Sequence, residues 1–403
     1  MRVLYIDSMC KSGSTGKIVY QLYTQVRTHG DEAAVCYGRG AKLDEENIYK
    51  FGLEWETVLH AGLTRLTGLT GCYSALSTGR LLRFIDDFKP DIIHLHEPHV
   101  YFVNIRPLFE YIREHDIPLV YTFHCEFAYT GKCGYANDCQ LWQNDCKGKC
   151  PQLREYPKTL CFDHTEKMCK EKKKLLTGLN MTVCTPSRWL ADRVKKSFLS
   201  EYNVQVIPNG IDTALFSPKP YEHLLQRHGL KDEKIALAVA PHLLQDARKG
   251  GRDVLKLAER MSGENVKFIL IGVDDLTETF PDNVIALGRT ENQQELAEYY
   301  SMADVFVICS TMENLPTTCL EAVCCHTPVA GYDVGGTAET APAPLGRFSA
   351  AGDIDALKAN VLALLDNPPD EKFFDAQRVV FSPAHMYESY SKIYRKMLDL
   401  DRE

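Results

Sequence analysis

The sequence has no excess of positive charge and no long apolar run, and each absence excludes a class of protein. Its 403 residues contain 46 Lys and Arg against 54 Asp and Glu, for a net charge of -8 at pH 7. A nucleic-acid-binding protein usually presents a basic face, so we expect no nucleic acid among the partners. No run of about 18 apolar residues occurs, so we expect no transmembrane helix. The first residues, MRVLYIDSMCKSG, lack the charged start, apolar stretch and cleavage site of a signal peptide, and we expect a cytoplasmic protein.

Sequence repeats are also absent, yet one pattern of elements occurs twice. Short apolar runs typical of buried strands alternate with longer amphipathic stretches typical of helices. Strands that are apolar on both faces and separated by helices indicate a parallel sheet covered on both sides. The predicted strands are 2–7, 33–38, 91–96, 119–124, 181–187 and 204–210, then 234–240, 266–272, 284–288, 304–310 and 327–332. The predicted helices are 14–30, 77–88 and 187–198, then 251–262, 293–302, 316–325, 354–366 and 385–400.

This pattern predicts two doubly wound α/β domains with a ligand-binding cleft between them. A polar stretch that contains proline, 211–224, separates the two series of strands, and the two domains are expected to join near residues 208–222. We therefore expect an N-terminal domain over 1–207 and a C-terminal domain over 208–384. The final helix, 385–403, is expected to fold back on the N-terminal domain.

The most informative stretch is residues 310–339, STMENLPTTCLEAVCCHTPVAGYDVGGTAE. Glu313 follows a buried strand and therefore lies at a carboxyl end, where open α/β sheets bind ligands. Pro316 suits the first turn of a helix. The amides and hydroxyls of Thr317 and Thr318 then form an anion site at the helix N-terminus.

Two further features of this stretch point to a ligand. Glu321 lies on the same helix and could hold ribose hydroxyls. The next strand is followed by Gly335 and Gly336, where the backbone must pass close to another group. Without further evidence, Glu313 would be interpreted as an acidic residue at the start of a helix. Glu321 would be interpreted as part of the solvent-exposed face of that helix.

The pattern E-N-L-P-x3-L-E-A, followed by TPV and GG, resembles the E-x7-E signature of the retaining glycosyltransferases of family 4, which have the GT-B fold. The resemblance extends over nearly the whole chain. Its further motifs are GSTGKI (13–18), TPSRWLADRV (185–194), VIPNGID (206–212), ELAEYYSMADVFV (295–307) and AGDIDAL (351–357). The N-terminal half, with DIIHLHEPHVYFVN and a Cys-rich segment before CPQLREYP, is most similar to bacterial exopolysaccharide transferases of the colanic-acid type.

The resemblance implies transfer of a hexose-type sugar with retention of configuration. The donor would be a UDP- or GDP-linked sugar, bound by the C-terminal domain. The acceptor would be a glycan or lipid-linked molecule, bound by the N-terminal domain, in the synthesis of a cell-surface polysaccharide. The family catalyses this reaction without a cofactor or a catalytic metal. A lipid-linked acceptor would place the protein peripherally on the inner face of the cell membrane.

The resemblance also implies roles for residues of the C-terminal domain. Glu313 would contact the donor sugar near the reacting carbon, and Glu321 would bind the nucleotide ribose. Lys249, in ARKGG, would neutralise charge on the departing diphosphate, and Arg248 would share that work. The donor-binding residues implied in addition are Leu315, Pro316, Thr317 and Thr318.

On the N-terminal side, GSTG offers the backbone at Gly13 and Gly16 as a cradle for diphosphate or acceptor. It is not a Walker A loop, because Ile18 stands where that motif needs Ser or Thr. His124, which ends a predicted strand, matches a family histidine beside the donor sugar. His96 and Glu97 are interpreted as contacts on the acceptor side. The triplet His94, His96 and His99 resembles a metal cluster, but we expect no metal there.

Residues 125–160 form an insertion with few aliphatic residues, too few to build a core. Its cysteines Cys133, Cys139, Cys146 and Cys150 are spaced x5, x6 and x3. A structural zinc ion bound by these four thiolates would supply the missing folding energy. Another thiolate-bound metal, free thiols or a disulfide are the alternatives. Cys125 would be a spare, and Cys161 and Cys169 are possible substitutes among the ligands.

The segment KMCKEKKKLLTGL (167–179) allows two interpretations. Its five lysines either form a solvated helix face or dock on an anionic membrane.

Two other functions fit the same chain. One is a non-catalytic GT-B-like module that binds a partner, and the other is a different GT-B enzyme such as a sugar-nucleotide epimerase or a phosphorylase. Replacing Glu313 by Ala separates a transferase, which would lose turnover, from a module, which would keep binding.

Overall fold

The contacts within the computed structural model divide the chain into two units. The structure describes residues 1–400, so the last three residues of the predicted helix 385–403 lie outside the described part. The first unit comprises Met1–Pro208 and the chain from Met386 onward, and the second comprises Asn209–His385. Each unit is described by itself.

The N-terminal unit is built on one sheet of seven parallel strands. The strands are β1 (Arg2–Asp7), β2 (Glu32–Tyr37), β3 (Ile48–Lys50), β4 (Ile92–Leu95), β5 (Leu119–Thr122), β6 (Met181–Thr185) and β7 (Val204–Val206). Their spatial order is β3-β2-β1-β4-β5-β6-β7, so the winding reverses between β1 and β4. This order confirms the predicted doubly wound sheet, and the reversal is where such sheets bind ligands.

Helices cover both faces of this sheet. They are α1 (Gly13–Thr28), α2 (Glu54–Thr67), α3 (Ala75–Phe88), α4 (Ile105–Glu114), α5 (Thr165–Leu176) and α6 (Arg188–Val194). One apolar core lies on each face, because the strand residues are buried on both sides. The sequence analysis did not predict α2 or α4. In α2 the apolar residues Trp55, Val58 and Leu59 are exposed, whereas the polar residues Glu56 and His60 are buried.

The C-terminal unit has a second parallel sheet of six strands. They are β8 (Lys234–Val239), β9 (Val266–Ile271), β10 (Val284–Leu287), β11 (Val305–Ile308), β12 (Val329–Tyr332) and β13 (Gly346–Ser349). The helices are α7 (Glu222–His228), α8 (Gly251–Arg260), α9 (Gln293–Met302), α10 (Thr317–Cys324), α11 (Ile354–Asp366) and α12 (Glu371–Val380). The strand order is β10-β9-β8-β11-β12-β13, and here the winding reverses between β8 and β11.

The last helix, α13 (Pro383–Met397), contributes a row of buried tyrosines to the N-terminal unit. The hydroxyl of Tyr394 is hydrogen-bonded to Nδ1 of His94 at 2.7 Å, and that of Tyr390 to Oγ1 of Thr122 at 2.9 Å. Nε2 of His94 is also hydrogen-bonded to Thr122, at 2.8 Å. Both nitrogens of His94 are therefore occupied, Nδ1 by Tyr394 of α13 and Nε2 by Thr122 of β5. No helix in residues 1–400 combines the length and the apolar character needed to cross a bilayer.

Candidate active site

Lys249 and Glu313 form an ion pair where the winding of the C-terminal sheet reverses. Lys249 ends a short 3-10 helix in the loop after β8, and Glu313 lies in the loop after the neighbouring strand β11. Nζ of Lys249 is 2.8 Å from Oε1 of Glu313, and both side chains are only partly exposed. The structure thus brings together two residues, 64 positions apart, that the resemblance assigned to the same reaction.

Two glycines allow this pair to form. Gly250 has φ +67°, and a Cβ there would lie 1.9 Å from the carbonyl oxygen of Cys309, at the end of β11. Gly335 has φ +62°, and a Cβ there would lie 1.7 Å from the carbonyl oxygen of Glu313. No side chain could be accommodated at either position. The group that Gly335 was expected to approach is therefore the backbone of Glu313 itself.

The helix after Glu313 begins one residue later than predicted. Pro316 is the N-cap, with φ -65° and ψ 119°, and α10 starts at Thr317. Thr317 and Thr318 are half-buried at this N-terminus. Leu315, in contrast, is buried in the core, so its side chain is part of the packing.

Glu321 and Arg248 have partners of their own. Oε2 of Glu321 accepts a hydrogen bond of 3.0 Å from the buried hydroxyl of Tyr300, a residue that the sequence analysis did not single out. The guanidinium of Arg248 donates two hydrogen bonds to Asp246, at 2.6 and 3.0 Å. Arg248 is therefore paired with Asp246, whereas Lys249 is paired with Glu313.

In the N-terminal unit, polar side chains gather after β1, β4 and β5. Nδ1 of His96 and Nε2 of His124 are hydrogen-bonded at 2.9 Å, and the two rings stack. Burial lowers the pKa of both imidazoles, so both are neutral at pH 7. Nε2 of His96 is buried without a hydrogen-bond partner among the described residues. A neutral histidine pair with one unused nitrogen can exchange a hydrogen bond with a ligand hydroxyl.

Asp7, at the last position of β1, was missed by the sequence analysis. Its Oδ1 accepts a hydrogen bond of 3.2 Å from the backbone N–H of Glu97, and its Oδ2 is buried without a partner among residues 1–400. Burial raises the pKa of Asp7 to about 7. The sequence could have indicated this residue, because Asp7 is an acidic residue at the carboxyl end of an otherwise apolar, buried strand.

Glu97 is paired with His99 and lies beside Cys125. Oε2 of Glu97 is 2.7 Å from Nδ1 of His99, and the Cys125 sulfur lies 3.7 Å from that oxygen and 3.8 Å from that nitrogen. Burial disfavours the charged form of both Glu97 and His99, but the interactions within the group outweigh it. His99 and Cys125 lower the pKa of Glu97, and Cys125 and Glu97 raise the pKa of His99. In residues 1–400 this is the one group with three potential metal-ligand atoms mutually within 4.8 Å. Two ligand atoms that each lie about 2.0 Å from a tetrahedral zinc ion would be about 3.3 Å apart. The 2.7 Å between Oε2 of Glu97 and Nδ1 of His99 therefore fits a direct ion pair better than a zinc site.

The predicted glycine cradle lies at the start of α1. Gly13 has φ +69° and opens the helix. A Cβ on Gly16 would lie 3.0 Å from the backbone of Met9, so Gly16 allows the helix to pack closely on the loop after β1.

Two of the four predicted zinc-binding cysteines pair with each other, and a third pairs with a cysteine of α5. Cys133, Cys139, Cys146 and Cys150 all line one small cavity. Cys133 is hydrogen-bonded to Cys150, but the partner of Cys146 is Cys169 on α5, outside the predicted set. Within residues 1–400, no three of these sulfurs lie mutually within 4.8 Å. Cys169 was considered in the sequence only as a possible substitute ligand, and the structure places it beside Cys146.

The pairing of Cys133 with Cys150 predicts a selectively reactive thiol. The hydrogen bond from Cys133 lowers the pKa of Cys150 to about 6. At pH 7, a larger fraction of Cys150 is therefore thiolate than of an ordinary cysteine, which is ionised to only a few per cent. We expect iodoacetamide to alkylate Cys150 of the metal-free protein at least about five times faster than in a Cys133→Ala variant, which lacks the donor, as measured by peptide mass spectrometry. Equal rates would contradict the pairing, whereas protection that a chelator relieves would indicate bound metal.

The five lysines of 167–179 do not form one solvated face. Lys172 is buried, and its ammonium donates to the carbonyl oxygen of Phe127 at 2.5 Å. Burial lowers the pKa of Lys172 to about 8. The other four lysines lie on the exposed side of α5.

Comparison with known proteins identifies the family. Residues 15–215 match the family model described as Glycosyltransferase Family 4, and residues 220–377 match that of Glycosyl transferases group 1. The chain is 24% identical over 323 residues to the putative colanic acid biosynthesis glycosyl transferase WcaC of Escherichia coli K12. That alignment covers 76% of this chain and 77% of WcaC.

Solved structures share the fold. Sucrose-phosphate synthase of Thermosynechococcus elongatus superimposes with a TM-score of 0.71 at 16% identity, covering 99% of this chain and 100% of that one. HepE of Anabaena, in complex with UDP, superimposes with a TM-score of 0.66 at 14% identity, covering 98% and 100%. These likenesses confirm the GT-B fold. With two doubly wound sheets and family matches that span most of its length, this chain is a glycosyltransferase of family 4.

Proposed function

We propose that this enzyme transfers a hexose-type sugar, with retention of configuration, from a UDP- or GDP-linked donor to a glycan or lipid-linked acceptor in cell-surface polysaccharide synthesis. The observation that carries the proposal is the ion pair between Lys249 and Glu313 where the C-terminal sheet reverses. The similarity to WcaC supports the polysaccharide product, and the UDP bound to HepE supports a nucleotide-sugar donor. GT-B glycosyltransferases generally need no catalytic cofactor.

The C-terminal unit is proposed to bind the donor. Lys249 would neutralise the negative charge that develops on the diphosphate as the sugar leaves, and such preorganised charge is a large contribution to catalysis. Glu313 would contact the donor sugar and hold Lys249 in place. The N-terminus of α10, at Thr317 and Thr318, offers backbone N–H groups to the phosphates. Glu321, fixed by Tyr300, would accept hydrogen bonds from the ribose.

The N-terminal unit is proposed to bind the acceptor and the transferred sugar. His124 would contact the sugar, and its partner His96 would hold the ring in position. Because both imidazoles are neutral, they can donate to or accept from sugar hydroxyls without adding charge. Asp7 and Glu97 add carboxyl groups at the same edge of the sheet. Gly13 and Gly16 would let the acceptor or a phosphate approach the backbone.

A thermal-shift panel tests the donor assignment. A ligand at about 100 times its Kd stabilises the folded protein by ~2.7 kcal/mol, provided that it does not bind the unfolded chain. We expect UDP or GDP to raise the unfolding midpoint by several degrees, while ADP and CMP have little effect. The Glu321→Ala variant should show a smaller shift, because it loses the proposed ribose contact. If none of the four nucleotides shifts the midpoint of the folded wild-type protein, the proposal of a UDP- or GDP-linked donor is wrong.

A further inference from the structure

The exposed apolar side chains of the chain concentrate on one surface of the N-terminal unit. Residues 1–400 contain 13 large apolar side chains that are strongly exposed, and seven of these lie on or beside α2. Each of the seven exposes more than half of its surface. This α2 surface consists of Trp55, Val58, Leu59, Leu66, Leu76, Leu160 and Phe162.

Helix α2 buries its polar side and exposes its apolar side. Trp55, Val58, Leu59 and Leu66 recur at helical spacing and therefore share one face. The opposite, buried face carries Glu56, Thr57, His60 and Thr64. A surface helix of a globular protein normally has the reverse arrangement.

The buried polar face is held by specific hydrogen bonds, so the helix cannot simply turn over. Both oxygens of Glu56 accept backbone N–H groups at the start of α3, from Leu76 at 2.9 Å and Ser77 at 2.8 Å. Nδ1 of His60 is hydrogen-bonded to the hydroxyl of Ser74 at 2.8 Å. Rotating the helix would break these bonds and leave buried polar groups unpaired. The apolar face is thus fixed in an outward orientation.

The remaining members of the surface are tied to the two ends of α2. The bond between Leu76 and Glu56 places Leu76 beside the first turn. At the other end, the backbone N–H of Leu160 donates to the carbonyl oxygen of Arg65 at 2.7 Å. The carbonyl oxygen of Phe162 packs against Gly68, which ends the helix. The seven residues therefore lie along α2 and at its two ends.

Basic residues lie around the C-terminal end of this surface. Arg65 is exposed on α2, Lys158 stands two residues before Leu160, and Lys167 lies on the first turn of α5. In the described part of the chain, none of these three has a carboxylate within 4.0 Å. The ammonium groups of Lys158 and Lys167 can therefore interact with anionic headgroups. The guanidinium of Arg65 lies over the ring of Tyr101, 5.8 Å from its centroid. Trp55 adds an amphipathic ring of the kind that favours the boundary between lipid and water.

We propose that the α2 surface docks the enzyme on an anionic lipid bilayer, with α2 lying in the interface. An outward apolar face with basic residues at its margin is the arrangement of interfacial membrane helices. The inference deepens the proposed function, because it assigns a surface to the membrane location suggested for a lipid-linked acceptor. Vesicle binding requires neither donor nor turnover, so its failure would leave the transferase proposal intact.

Vesicle sedimentation of the full chain tests the inference. We expect wild-type protein to sediment with vesicles of phosphatidylcholine and phosphatidylglycerol, and to bind pure phosphatidylcholine vesicles at least about fivefold more weakly. A Val58→Asp, Leu59→Asp double variant should lose at least about 90% of the binding with an unchanged unfolding midpoint, since both positions are exposed. Val379→Asp, at an equally exposed apolar position in the C-terminal unit, is the matched control and should bind as the wild type does. Trp55 fluorescence should shift to the blue on binding.

Three outcomes would overturn the inference. The first is a wild-type protein that binds neither vesicle, and the second is a double variant that binds as well as the wild type. The third is a wild-type dimer, seen by light scattering, that the double variant converts to a monomer. That result would assign the surface to a second copy of the chain.

Discussion

Replacing Glu313 by Ala is expected to reduce turnover by about 10²- to 10³-fold or more, while nucleotide binding persists. The substitution removes the carboxylate that is proposed to contact the donor sugar. It also removes the 2.8 Å ion pair that positions Lys249. Loss of one preorganised electrostatic group at a reacting centre typically has an effect of this size. Turnover is measured as nucleoside diphosphate release with a donor identified by thermal shift, and binding is measured in parallel by the same shift.

Variants at Lys249 and Glu371 complete the experiment. Lys249→Met should reduce turnover to a similar extent, and the double variant should lose less than the product of the two effects, because the residues act as a pair. Glu371→Ala removes an exposed acid at the start of α12 and should leave turnover within about twofold. If Glu313→Ala retains turnover within a few-fold, the catalytic assignment is wrong. If the wild type binds a nucleotide but never turns over, a binding module becomes the better description.

Replacing Glu126 by Ala is expected to destabilise the N-terminal unit by about 3–5 kcal/mol. Glu126 is buried at the start of the Cys-rich insertion and accepts hydrogen bonds from the Tyr129 hydroxyl at 2.8 Å and the Ala136 backbone N–H at 2.6 Å. It also pairs with Nε of Arg193 on α6 at 2.5 Å. Removing the carboxylate would leave the largely buried guanidinium without its counter-charge. The loss would appear as a lower midpoint in urea denaturation followed by circular dichroism.

The matched control for Glu126 lies in the same insertion. Glu155 is exposed, and no ion pair of its carboxylate is found in residues 1–400. Glu155→Ala should therefore change stability by less than about 0.5 kcal/mol. Glu126→Gln, which keeps the shape of the side chain, should have an intermediate effect. A loss below about 1 kcal/mol for Glu126→Ala would mean that the insertion is held mainly by other interactions, such as a metal bound by the cysteines, and chelation should then destabilise it.

Glu126 and the cysteines of the insertion differ in how far their contacts could be predicted from the sequence. The cysteine spacing was visible in the sequence and suggested a metal site as the source of the insertion's stability. Glu126 and Arg193 form a buried ion pair although they are 67 residues apart in the sequence, and no local sequence pattern predicts this pair. Asp7 and Glu97 are likewise brought together over 90 positions. Such contacts depend on which strands are neighbours in the sheet, and the order of the strands is determined only by the tertiary structure.

By itself, the sequence determined the two series of strands, the doubly wound sheets and the E-x7-E motif with Glu313 at a strand end. These features follow from local hydrophobic periodicity and from the residues typical of turns and helix starts. Both signals lie in residues that are close together in the sequence. The tertiary structure alone decided that Lys249 reaches Glu313, that Cys146 pairs with Cys169, and that α2 turns its apolar face outward. In α2 the buried hydrogen bonds of Glu56 and His60 outweigh the tendency of apolar residues to be buried. Their partners, Ser77 and Ser74, come from a separate segment of the chain.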